Sequence, residues 1–212
     1  SGETGLNGLS GETDRINTRL ILNARREVPD SVTTAVIGWW YGETENVDTE
    51  NRAQVDLRMD LPASPASSWK YYVAGSAEYN EFQPWDYRVS ANAGFGYEVF
   101  KDDSWTVLTR AGLGSTYFQG LDRTGHVEFW PGVDLRFKID DQSFVTATAE
   151  GVIDFQAFDD SRATIRASYE ILLDKEKGTT LKFGIEDRYQ QTPVESREDH
   201  NVEYFAALVF RF

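Results

Sequence analysis
The side chains of this sequence equipped to do chemistry are guanidiniums and carboxylates, and they recur at every second position of long segments. Arg19, Arg52, Arg58, Glu78, Arg88, Arg110 and Glu128 belong to this set, with Asp134, Arg136, Glu150, Arg166, Glu170, Glu186 and Arg188. Fixed charges interleaved in this way sort and conduct solutes, because they supply a field and hydrogen bonds without a reacting atom. Covalent chemistry is poorly provided for. The histidines are His126 and His200. His126 shares parity with Glu128 and Trp130 and so points to the charged side, while Ser115 takes the other. A lipid hydrolase in a barrel needs both on the lipid face. His200 follows Glu198 and Asp199 in an expected loop. That trio has the makings of an acid–base site, but an inert exposed histidine is the commoner reading. G-x-S-x-G, H-E-x-x-H and phosphate-loop patterns are missing, so the chain is expected not to be an enzyme.

Metal chemistry has one candidate. The stretch 43–50 is dense in oxygen ligands, and Glu45 and Asp48, with Asp159 and Asp160, are rim candidates for Ca²⁺ or Mg²⁺, bridging to lipopolysaccharide phosphates. The stretch lacks the Asp-x-Asp-x-Asp-Gly spacing of a dedicated calcium loop, and a solvated acidic loop explains it better. The absence of cysteine excludes disulfides and thiolate metal centres. No cofactor is expected.

Charges at every second position need an element that sends alternate residues to opposite faces. Between 87 and 99, Tyr87, Val89, Ala91, Ala93, Phe95, Tyr97 and Val99 fall on one side, with Arg88, Ser90, Asn92, Gly94, Gly96 and Glu98 on the other. That is the period of a strand. The same pattern runs through 15–28, 51–61, 162–173 and 202–212. Further strands are expected at 2–9, 32–43, 69–81, 105–118, 126–138, 144–155 and 179–190, the segment 32–43 being apolar on both faces. Short polar turns at 29–31, 101–104, 140–143 and 174–178 alternate with mostly longer connections at 44–50, 82–86, 119–125, 156–161 and 191–201.

Length separates the possible architectures. Strands of a soluble sandwich run about 5–6 residues, and these are about twice as long, enough to cross a bilayer when tilted. No run of apolar residues is long enough for a membrane helix. Aromatics on the apolar face gather near strand ends. Tyr79, Tyr87, Tyr117, Phe129, Tyr189 and Tyr204 lie toward the loops, with Trp69, Tyr71, Tyr97, Trp105, Phe137 and Phe210 toward the turns. Two such girdles mark bilayer interfaces. The expected fold is therefore an all-β, 12-stranded antiparallel transmembrane β-barrel of the outer-membrane type, one domain over 1–212.

Charge bookkeeping agrees. The 212 residues carry 35 Asp+Glu against 21 Lys+Arg, a net charge of −14, which argues against a nucleic-acid partner. Acids and bases nearly balance on the polar strand faces, so the negative excess falls in the longer loops, at one rim. A lumen rich in Arg and Glu fits a solvated pore or a plug of salt bridges, and twelve strands lie between the filled eight-stranded barrel and the open sixteen-stranded one. Gly94, Gly96, Gly112, Gly114 and Gly132 share the lumen face, where they let the wall bend and leave room for Arg side chains.

Four stretches carry a resemblance. They are Gly8-Leu9-Ser10-Gly11-Glu12-Thr13-Asp14; Tyr41-Gly42-Glu43 followed by Thr49-Glu50-Asn51-Arg52-Ala53; Trp85-Asp86-Tyr87-Arg88 leading to Ala93-Gly94-Phe95-Gly96-Tyr97; and Arg110-Ala111-Gly112-Leu113-Gly114. In this order the chain resembles the YdiY-like salt-induced outer-membrane protein family along its whole length. The resemblance implies an exported barrel of unknown molecular function and supplies no catalytic residues. The ending Phe205–Phe212 is similar to a barrel assembly signal, with Ala207 where glycine is common. Without a leader, the chain reads as a mature or trimmed form.

The expected function is a narrow passive pore for small solutes or ions in the outer membrane of a Gram-negative-type bacterium. Its surroundings would be outer-membrane lipid and lipopolysaccharide. A closed structural barrel that docks an envelope protein partner is the alternative, and a lipid-acting enzyme ranks last.

Overall fold
The computed structural model describes residues 2–9, 15–45, 47–64, 67–120, 126–158, 161–174, 178–190 and 200–210. Among these residues the chain is all-β. The first strands are β1 (Gly2–Leu9), β2 (Arg15–Val28), β3 (Ser31–Thr44) and β4 (Val47–Pro62). Then come β5 (Trp69–Asn80), β6 (Tyr87–Lys101), β7 (Trp105–Gln119) and β8 (Glu128–Lys138). The last are β9 (Ser143–Asp154), β10 (Arg162–Asp174), β11 (Thr179–Gln190) and β12 (His200–Phe210). Each pairs antiparallel with the next, giving one curled sheet. Its two ends meet where β1 lies beside β12, in the register Gly2↔Phe210, Glu3↔Val209 and Thr4↔Leu208. This is the shortest ladder among the described residues.

The sheet is inverted relative to a soluble protein. On its outer face Leu113 is 57% exposed and Phe95 56%, whereas on the inner face Glu186 is 1% and Glu128 2% exposed. Large apolar side chains in water and carboxylates inside would be the wrong arrangement for a water-soluble body. The same alternation that makes the strands sets this sidedness, since each Cβ points opposite to its neighbours.

Exposed aromatics form paired clusters at both edges of the apolar belt. Toward the short turns, the ring of Trp69 sits 4.8 Å from that of Tyr97 and Trp105 4.3 Å from Phe137. Toward the longer connections, Tyr79 faces Tyr87 across the β5–β6 ladder. The turns have their own chemistry. Asp140 Oδ1 accepts from the backbone N–H of Gln142 and Ser143, both at 2.8 Å. These bonds hold the Asp140 carboxyl below its ordinary range.

One connection differs from expectation. The stretch 44–50 is not a longer loop: Thr44 pairs with Val47, and Asp48 and Glu50 belong to β4. The reversal is a tight turn through Glu45, at φ 53°. The Tyr41 hydroxyl explains the extension. It donates its one proton to Asp48 Oδ1 at 2.6 Å, with Glu43 Oε2 3.1 Å away, so an all-polar segment stays paired. Polarity looks like a loop in sequence, but a hairpin projecting past an apolar belt is also polar on both faces.

Candidate functional site
The inner wall of the sheet carries the charged residues, and they are organised in layers. In the middle, Arg110 on β7 donates from Nη2 to Asp134 Oδ1 at 2.8 Å and from Nη1 to Glu150 Oε1 at 2.9 Å. Arg58 on β4 donates to Asp60 at 2.7 Å and reaches Asp134 Oδ2, on β8, at 3.3 Å. Asp134 therefore gathers guanidiniums from two sides of the wall. The buried ring of Tyr72 sits 5.9 Å from each of these guanidinium carbons. Glycine makes this crowding possible. A Cβ at Gly112 would stand 2.2 Å from the Tyr72 hydroxyl oxygen, and one at Gly132 3.4 Å from Arg110 Cζ.

Toward the longer connections the inner charges meet across the interior. Glu186 on β11 accepts from Arg166 Nε at 2.9 Å and from Arg188 Nε at 2.5 Å. Arg188 then spans to the far wall, 3.8 Å from Glu78 on β5 and 3.5 Å from Gln54 on β4. Glu78 also bonds Arg88. On either side, cations lie over rings: Arg52 Cζ is 3.8 Å from the Trp40 centroid and Arg19 Cζ 3.9 Å from that of Phe205. Arg52 has an ion pair with Glu50 at 3.4 Å, and Arg19 one with Glu203 at 3.4 Å. Arg162 completes the layer, donating to Glu128 at 3.1 Å and to Thr116 Oγ1 at 2.6 Å.

Below this layer lies a cavity of about 500 Å³. Its lining runs from Lys70 and Val32 near the short turns to Arg88 and Arg162 under the cross-lumen pairs. Of the residues singled out from sequence, Arg58, Arg88, Arg110, Asp134, Glu150 and Arg166 border it. Arg19, Arg52, Glu78, Glu128, Glu186 and Arg188 are not in its lining and belong to the layer above. Arg136 lies toward the short turns against Phe144, its Cζ 4.5 Å from the ring, and Glu170 is buried on β10. The sequence reading did not select Gln54, Asp56, Tyr72, Trp130 and Arg162, which also line the cavity. Parity places all five inward; Gln54, Tyr72 and Trp130 carry no charge and so do not stand out in a search for lumen charges, whereas Asp56 and Arg162 share the charged face with the residues named from sequence.

The histidines and the rim acids stand apart. His126 Nδ1 lies 2.6 Å from Asp154 Oδ2. His200 is not in a loop: it opens β12 opposite Tyr189, with Nδ1 3.0 Å from Asp187 Oδ2. The β11–β12 ladder runs on past the apolar belt and takes His200 with it. Glu45 and Asp48 sit on the β3–β4 hairpin, while Asp159 and Asp160 lie outside the described residues. Among the described residues no group of three or more His, Cys, Asp or Glu side chains has the arrangement of a metal site.

Solved structures share this fold. The NanC porin superposes with TM-score 0.63 at 9% identity, covering 100% of both chains. The KdgM porin in complex with disordered oligogalacturonate superposes with TM-score 0.55 at 11% identity, over 100% of this chain and 99% of the other. KdgM porin alone gives 0.53 at 11% identity, over the same shares. The architecture is thus porin-like. No curated protein matches the chain at a significant level. The family model described as "Protein of unknown function, DUF481" matches residues 2–212, in keeping with the YdiY-like resemblance.

Proposed function
The chain belongs to the DUF481 family, and we propose that it is a twelve-stranded outer-membrane barrel acting as a narrow passive pore for small solutes. The observation that carries this reading is the inversion of its faces: exposed leucines and phenylalanines outside, buried ionised groups within. Hydrocarbon satisfies the first, and only an enclosed, polar lumen satisfies the second. Membership of the porin architecture supports it, and in the KdgM porin that architecture is found in complex with oligogalacturonate. The outer wall would meet lipid and lipopolysaccharide, with the acidic hairpin tip at Glu45 and Asp48 among the headgroups. The inner wall holds ion pairs rather than a nucleophile with its base, so we assign no enzymatic activity.

The test is current through planar bilayers holding the purified protein. Discrete conductance steps are expected. Arg110→Glu should alter both their size and their ion selectivity, because it reverses the mid-wall charge that gathers Asp134 and Glu150. Repeated insertions with no steps above background would remove the pore reading. They would leave the second one, a closed barrel docking another envelope protein. That reading is favoured by Arg188, which crosses the lumen to Glu78 and Gln54.

A further inference from the structure
The bases around the 500 Å³ chamber are already engaged. Its lining includes seven basic side chains, and each has a carboxylate partner. The outlying ones follow the pattern of the mid-wall: Lys70 Nζ lies 3.0 Å from Glu98 and Arg25 Nη2 3.0 Å from Glu27. An anion entering here would have to draw a guanidinium away from its carboxylate and leave that carboxylate uncompensated in a confined space, which is strongly unfavourable. A cation would meet a lining of seven bases against four acids, Asp56, Asp60, Asp134 and Glu150. The field that invites an ion is largely spent inside the wall.

Two polar groups on the wall stand out. Trp130 Nε1 is buried and has no hydrogen-bond partner. The Asp56 carboxylate accepts from a single neutral group, Gln54 Nε2, at 2.8 and 2.9 Å, and has no ion-pair partner among the described residues. One is a donor without an acceptor, the other an acceptor with lone pairs to spare. A buried group in this condition is costly unless something arrives to meet it. A hydroxyl meets either need, donating to Asp56 from the chamber, or accepting from Trp130 once the indole turns, because its Nε1 presents no surface to the chamber in the structure as it stands. Between them the wall offers more of the same kind: the Ser76 and Ser90 hydroxyls, 2.7 Å apart, and Asn92 beside them. Leu108 and Val152 add apolar surface suited to ring carbons. The volume falls within the range of about 300–1,000 Å³ typical of small-molecule sites.

We propose that this chamber binds an uncharged, hydroxyl-rich solute of sugar size, held by Asp56 and Trp130. This names the solute class for the pore proposed above. It rests on that reading for passage but not for binding.

The experiment uses the whole chain folded in a detergent without a sugar headgroup. Saturation-transfer NMR titrations compare glucose and sucrose with gluconate and glucosamine, whose rings or chains carry one charge. The neutral sugars should bind, and the charged probes should bind at least several-fold more weakly. Asp56→Ala should weaken glucose binding by about tenfold, the factor a lost hydrogen bond to a charged group carries. The near-isosteric Trp130→Phe should weaken it by a smaller factor. Heat-modifiable gel mobility reports whether each variant is folded. Equal or tighter binding of gluconate or glucosamine overturns the proposal, as does no neutral-sugar binding, or unchanged affinity in both folded variants. Swelling of proteoliposomes in the same four solutes separates the two readings. Binding without any flux defeats the pore and leaves the chamber assignment standing. Flux that favours the charged solutes defeats the chamber assignment and leaves the pore.

Discussion
Among the described residues Glu186 is the most confined ion of the lumen, 1% exposed between Arg166 and Arg188. Replacing it with Ala leaves two guanidiniums facing one another, and losing one member of a buried pair typically costs about 3–5 kcal/mol. Glu186→Ala should therefore lower the urea midpoint in micelles substantially. Glu27→Ala, which breaks the exposed Arg25–Glu27 pair, should move it by about 0–1 kcal/mol at most. Equal shifts would mean that the interior is as wet as the surface. Parity alone was enough to place Glu186, Arg166 and Arg188 inward. Which carboxylate meets which guanidinium was not legible. Arg188 reaches Glu78 from a strand on the opposite wall, and such a contact depends on strand stagger and barrel girth, which no local pattern encodes. Trp130 was equally hidden, because an inward indole with an unpaired N–H differs from a packed one only through its surroundings.

At the level of a single strand, β7 shows the division of labour most clearly. Arg110 points into the ion network and Leu113, three residues on, points out. Leu113→Arg would place a charge near the middle of the apolar belt, where it costs about 2–4 kcal/mol in a bilayer. The variant should fold into lipid vesicles with clearly reduced yield by gel mobility, yet stay soluble in urea as the parent does. Undiminished insertion would contradict a lipid-facing β7. Strand identity was readable from period two, and so was the Asp-led turn at Asp140. The β3–β4 connection was not. There the deciding contact is Tyr41 to Asp48 across the hairpin, and a polar stretch says nothing about whether its backbone is paired.

For the molecule as a whole, the architecture followed from one relation between sequence and solvent, greasy residues outward and ions inward, repeated along most of the long strands, with β3 apolar on both faces as the exception. What the lumen does with its ions was beyond that relation. The structure divides it into a chamber toward the short turns and a tied-off layer toward the longer connections. Closure, meanwhile, depends on the place where β1 lies against β12. Among the described residues three rungs fasten that edge, against fourteen between β2 and β3. A ring of unequal hinges unlatches at its thinnest one, and local opening free energies track how much structure must be broken. Amide deuterium uptake should accordingly begin at Thr4 and Leu208 while the β2–β3 hairpin stays protected, and uniform uptake around the circumference would mean that the latch is no weaker than the rest.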